Sequence, residues 1–176
     1  MYTLKSKLLS LLLLIMPLSG QAAQLKTADY RLSISARTPE QIGAFYEARG
    51  FPKPAVNFLK QQCYLTVYFR NTSSHIIWLE LDNWQFSTAS KKLQRKDRQY
   101  WQQVWTDMGL AMRFQSTFRW TLMPEQLDFR PHEREGGNII LPYTADAIHI
   151  QARIRIQNAN TQQNKVIKMD GIRCKR

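Results

Sequence analysis

Acidic residues are scarce in this chain. There are 13 Asp and Glu against 25 Lys and Arg, a formal net charge of +12. So lopsided a balance disfavours cationic partners and favours polyanions: nucleic acid, acidic glycans, anionic headgroups or an acidic protein surface. Cysteine is nearly absent. Only Cys63 and Cys174 occur and no CxxC is present, so neither a closed zinc site nor a dithiol redox motif can be built from thiols alone. No GxSxG element and no Gly-rich phosphate loop appears, which removes the usual signatures of a serine hydrolase and of a nucleotide-binding module. Internal repeats and low-complexity linkers are missing as well.

One apolar run stands out. Lys5 and Lys7 precede the nearly continuous apolar stretch Leu8 to Leu18, and Gly20 and Ala22 supply a small-x-small pair. That order reads as a secretory signal peptide over 1–22, since the run is shorter than the ~20 residues of a membrane-spanning helix. Removing it leaves 154 residues (176 − 22), a length that suits one domain over 23–176, with a net charge of +10 once Lys5 and Lys7 are gone. No second apolar run reaches spanning length, so no transmembrane helix is expected in the mature chain. The expected location is periplasmic or extracellular. In an oxidising compartment an even pair of cysteines bridges, so a Cys63–Cys174 disulfide is expected.

Strands dominate the patterning. The stretch Cys63 to Asp82 places two apolar runs around Asn71-Thr72-Ser73-Ser74, the pattern of a β-hairpin covered on both faces. Cys63, Leu65, Val67 and Phe69 share one face, and Ile77, Leu79 and Leu81 share another. Asp29 to Ala36 alternates as a first strand. Ala147 to Gln157 alternates most cleanly, with Ile148, Ile150, Ala152, Ile154 and Ile156 inward and His149, Gln151, Arg153, Arg155 and Gln157 outward. Thr117 to Met123 reads as a strand stopped by Pro124. Gly136, Gly137 and Asn138 read as a tight turn or bulge, and Asp170-Gly171 as a bulge in the last strand, Val166 to Cys174.

Helices are fewer. Thr38, Pro39 and Gln41 make a capping box opening a helix that stops by Gly50 ahead of Pro52 and Pro54. Tyr100, Trp101, Val104, Trp105 and Met108 form a helical stripe with Gly109 at its end. The expected fold is therefore mainly β, an antiparallel β-sandwich with one or two helical insertions between strands. A strand, an Asn-Ser turn and a second strand, followed later by a Pro-Glu turn before a short strand, resembles in architecture the immunoglobulin-like sandwiches of exported accessory proteins. The likeness implies a fold and no functional residue.

Five cations, Lys91, Lys92, Arg95, Lys96 and Arg98, form the densest positive run and lie beside the Trp stripe. They are the candidate polyanion-binding residues. The stripe itself suits a core-facing helix. The histidines His75, His132 and His149 are the candidates for general acid–base cleavage of a polyanion such as RNA, but nothing in their spacing brings them together, and no catalytic residue is assigned. Glu125, Asp128, His132, Glu133 and Glu135 match no metal-binding motif, and Met108, Met112 and Met123 read as core filling rather than a copper site. No metal and no cofactor is expected. Asn71-Thr72-Ser73 matches a glycosylation acceptor that a turn also explains. The resulting expectation is an exported, non-enzymatic binding or accessory module for an envelope or secreted protein or a polyanion, nucleic acid included. A secreted basic hydrolase such as a nuclease is the alternative.

Overall fold

The computed structural model describes residues 22–157 and 161–176. The expected signal segment lies, but for Ala22, outside the described residues. Nine strands and four helices follow in the order β1 Ala23–Lys26, β2 Tyr30–Ala36, α1 Pro39–Glu47, α2 Lys53–Lys60, β3 Gln62–Asn71, β4 Ile76–Ser87, β5 Lys92–Leu93, α3 Arg98–Asp107, α4 Met112–Thr121, β6 Gln126–Phe129, β7 Arg134–Pro142, β8 Ile148–Gln157 and β9 Gln162–Ile172 among the described residues.

The strands form two antiparallel sheets. One has the order β1-β2-β3-β7; the other runs β5-β4-β8-β9, with β6 pairing beside β5 along the free edge of β4. The inward faces meet in one apolar core. Leu65, Val67 and Phe69 of β3 and Ile139 and Leu141 of β7 pack towards Ile77 and Leu79 of β4 and Ile148, Ile150 and Ile154 of β8. A mainly β sandwich with helices inserted between strands is thus observed, with four helices rather than one or two.

A second core makes a third layer. Tyr64 and Ile140 face outward from the first sheet and meet Tyr46 of α1, Leu59 of α2, Trp101 and Trp105 of α3 and Phe118 of α4. Strand β3 is therefore buried on both sides at its start, as its two apolar faces require. Burial pushes the Tyr46 hydroxyl up to about 12, partly opposed by its hydrogen bond with Thr121 Oγ1 at 2.9 Å. Burial also raises Tyr64 well above its ordinary value.

Three local expectations are corrected. Strands β3 and β4 are not paired as a hairpin: β3 sits between β2 and β7, and β4 belongs to the other sheet. The turn between them crosses from sheet to sheet. Asn71 is fully buried and its Nδ2 donates to the carbonyls of His75, Phe129 and Arg130 at 2.6, 2.9 and 3.1 Å, which fixes the crossing. Thr117 to Met123 is mostly helix, not strand. Phe114, Phe118 and Leu122 recur every four residues and turn to the core, leaving Trp120 88% exposed. Pro52 and Pro54 follow the end of α1, as expected. They precede and open α2, where a helix needs no N–H from them.

Gly136 and Gly137 make no turn; they lie inside β7. A Cβ on Gly137 would stand 2.4 Å from Met123 N and 2.5 Å from its Cα, because the chain leaving α4 runs against the strand there. Leu122 bridges Asn138 in parallel, and Met123 N–H donates to Asn138 O at 3.1 Å. Met123 fills the core as expected, but Met108 and Met112 are 40% and 71% exposed and do not; other local readings are met. Thr38 and Gln41 form the reciprocal capping box, Gly109 takes φ 62° after α3, and an extra residue bulges β9 at Asp170-Gly171 opposite Ile148 to Ile150. Cys63 and Cys174 are joined, with Cα atoms 5.3 Å apart.

Candidate binding face

The two sheets differ in what covers them. Helices lie over the outer face of the first sheet, while the outer face of the second carries exposed residues along β4, β8 and β9. The registers arrange that bare face in rows, since cross-strand partners point the same way. Lys92 of β5, Ser87 of β4 and His149 of β8 make the first row, and Asp170 from the β9 bulge completes it. Gln85, Gln151 and Lys168 form the second. Arg153 beside Val166 forms the third, and Trp78, Arg155 and Asn164 the fourth. From His149 to Arg155 the face runs about 20 Å, at ~3.4 Å per residue.

Its charge is unevenly neutralised. Asp170 Oδ1 lies 2.7 Å from His149 Nδ1, and Glu80 lies 3.6 Å from Arg155, whose guanidinium also stands 5.0 Å from the centre of the Trp78 ring. Lys92, Arg153 and Lys168 have no ion-pair partner among the described residues. A cleft of about 580 Å³ opens at the β5 end, lined by Lys92, Arg95, His149 and Lys168 with Asp82 and Asp170.

The basic run divides between two environments. Lys91 and Lys92 are exposed, and Lys92 lines the cleft. Arg95 leaves only 11% of its side chain exposed and pairs with Asp82 at 3.1 Å and Glu125 at 2.7 Å. Lys96 Nζ donates to Gln62 Oε1 at 2.6 Å and lies 4.8 Å from the centre of the Tyr100 ring. Arg98 opens α3 and is partly buried.

The histidines do not converge. His149 pairs across from Ser87 at one end of β4, while His75 precedes Ile76, which pairs with Gln157 at the far end of β8, about 27 Å from His149 at ~3.4 Å per residue. His132, at φ 68°, lies in the β6–β7 turn, whose Glu133 O accepts from Asn71 N–H. The acidic cluster disperses: Glu125 pairs with Arg95, Glu133 Oε2 accepts from Arg130 N–H and Glu135 Oε1 from Gly136 N–H. No three His, Cys, Asp or Glu side chains among the described residues are placed to hold a metal ion. No helix among them is long and apolar enough to cross a membrane.

The sequence identified one strand of this face, since the outward set of β8 carries Arg153 and Arg155. Lys168 was missed. Pairing β9 with β8 through the polar turn would have placed it beside Gln151.

No family model and no curated protein matches the chain. Among solved structures it is similar to a "putative lipoprotein (ycdA)" of Bacillus subtilis subsp. subtilis, with 9% identity and a TM-score of 0.42 over 85% of this chain. The chain spans 38% of that protein's length.

Proposed function

We propose that this protein is an exported, non-enzymatic binding module whose bare sheet face takes an extended polyanion. One observation carries the reading: Lys92, Arg153 and Lys168 lie on the uncovered face with no carboxylate partner among the described residues. A span of about 20 Å corresponds to about six phosphates of one DNA strand at 3.4 Å each. Lys91 and Lys92 extend the contact at the β5 end. Arg95 shapes that rim through its two carboxylates, while Lys96 and Arg98 lie apart from it on the helical side. Trp78 offers an amphipathic ring beside Arg155 on which a base or sugar can stack. The disulfide and the signal-like leader support export.

The test is a titration of fluorescently labelled duplex DNA, as a stand-in polyanion, against the native protein and a Lys92→Ser, Arg153→Ser, Lys168→Ser variant. The native protein binds; the variant binds at least tenfold more weakly with unchanged circular dichroism. Equal binding by the two excludes this face.

One observation favours a second reading. His149 is held by Asp170 beside Ser87 in the same cleft, and a carboxylate-oriented imidazole is the usual form of a general base. A hydrolase acting on the bound polyanion would use it. Incubation with RNA and DNA decides between the two: cleavage abolished by His149→Ala establishes the hydrolase, and intact substrates leave the binding module.

A further inference from the structure

Four cations stand in one row across the first sheet. Its registers set Lys26 of β1 against Arg31 of β2, Arg31 against Arg70 of β3, and Arg70 against Arg134 of β7. The row lies on the outer face, since the alternate residues Leu25, Leu32 and Phe69 pack into the sandwich core. The helices leave this end of the sheet open: Lys26, Arg31 and Arg134 are exposed and Arg70 is half-buried. None of the four has an ion-pair partner among the described residues. Like charges directly opposite one another weaken a sheet, so this row opposes folding unless an anion from outside the chain neutralises it.

The row opens into a cleft. Two residues along β3 and β7 from Arg70 and Arg134, about 7 Å at ~3.4 Å per residue, Tyr68 and Gly136 form the next cross-strand pair. Both line a cleft of about 850 Å³ between the sheet and helices α1 and α4. Gly136 has no side chain to stand between the cleft and Arg134. Phe45 of α1 and Trp120 of α4 line the cleft as well. Solvent reaches all three rings, with Phe45 38%, Tyr68 40% and Trp120 88% exposed. The lining is mainly apolar and includes no Asp or Glu. The volume falls in the ~300–1,000 Å³ range of small-molecule sites. An open apolar cleft that ends on a cationic row has the polarity of an amphiphile with an anionic head.

We propose that this cleft binds one molecule of an anionic phospholipid. The phosphate oxygens accept from Arg70 and Arg134, the two cations on the strands that carry the cleft, because an arginine fork matches phosphate geometry. Lys26 and Arg31 extend the positive field beside them. The acyl chains lie against Tyr68, Phe45 and Trp120. The cleft belongs to the first sheet and the proposed polyanion face to the second, so the two assignments are tested separately.

The probe is dihexanoyl-phosphatidylglycerol below its micelle threshold, titrated into the native protein by calorimetry. Saturable binding of one lipid per chain is expected. Dihexanoyl-phosphatidylcholine keeps the chains but adds a choline cation, and should bind about tenfold or more weakly. Glycerol 3-phosphate keeps a phosphate head without chains, and should also bind about tenfold or more weakly, because no apolar surface is buried. Arg134→Gln and Trp120→Ser, both at exposed positions, should each weaken the lipid several-fold with unchanged circular dichroism. The Lys92→Ser, Arg153→Ser, Lys168→Ser variant should keep native lipid affinity. Absence of saturable binding, or native affinity in either folded cleft variant, overturns the assignment. So does phosphatidylcholine binding as tightly as phosphatidylglycerol, or loss of lipid binding in the variant of the second sheet. Glycerol 3-phosphate binding as tightly as the lipid shows a plain phosphate-ester site and overturns it too.

Discussion

Cys63 at the start of β3 is bonded to Cys174 beyond the end of β9, so the covalent link ties one sheet of the sandwich to the tail of the other. The two residues are 111 apart in sequence. Closing a loop of that length restricts the unfolded chain, and in the chain-entropy model this is worth about 4–5 kcal/mol. The bridge also anchors β9 just after its bulge at Gly171, φ 76°. Urea unfolding of the native protein and of the Cys63→Ala, Cys174→Ala variant should differ by roughly that amount. A difference below about 1 kcal/mol shows that the sheets hold β9 without it.

The aromatic second core predicts a different kind of loss. Trp105 is 1% exposed, against Trp101, Phe118 and Phe58. Trp105→Ala should cost about 3–5 kcal/mol. Chemical denaturation measures it. A loss near zero places the ring on a free surface.

At Gly137 the constraint is steric. The added methyl of Gly137→Ala meets the backbone of Met123 and Leu122 at 2.4 to 2.7 Å, and backbone does not move aside as a flexible side chain does. The variant should lose about 1–3 kcal/mol or more. Retained stability, read from the thermal midpoint, contradicts the close approach of α4's exit to β7.

Alkaline pH should open the second core. Tyr46, buried and pushed up to about 12, holds its proton longer in the folded chain than in the unfolded one. Its contribution is complete below the ordinary tyrosine value of about 10 and is lost as pH rises from there towards about 12, at ~1.4 kcal/mol per pH unit. Tyr64, raised by burial, acts in the same direction. Tyrosinate absorbance should therefore show these two groups ionising together with loss of near-ultraviolet circular dichroism. Tyr46→Phe should reduce the alkaline sensitivity. Independent titration of both tyrosines near pH 10 in a folded protein rules this out.

Why some of this was legible and some was not follows from particular residues. β8 buries five alternating aliphatics and exposes its partners, so period alone identified it. The capping box of Thr38 and Gln41 is a local contact and was readable locally. Pairing is not local. Alternation in β3 and β4 gives each strand its faces but not its neighbour, and the buried Asn71 that sends them to different sheets does so through carbonyls more than fifty residues away. α4 contains both periods: Phe118, Trp120 and Leu122 alternate, yet Phe114, Phe118 and Leu122 fit a helix, and the adjoining helical layer selects the second. The bare face was half visible, because its cations come from three strands and only registers bring Lys92, Arg153 and Lys168 onto one surface.

The central claim, a polyanion held on that surface, is tested most directly by the salt dependence of duplex DNA affinity between about 50 and 200 mM. For the native protein, log affinity should fall linearly with log salt, with a slope of about −0.9 per phosphate neutralised. The Lys92→Ser, Arg153→Ser, Lys168→Ser variant should lower the magnitude of that slope by about 2.7, or ~0.9 for each cation removed. A native affinity indifferent to salt, or a variant with the native slope, contradicts the assignment of this face.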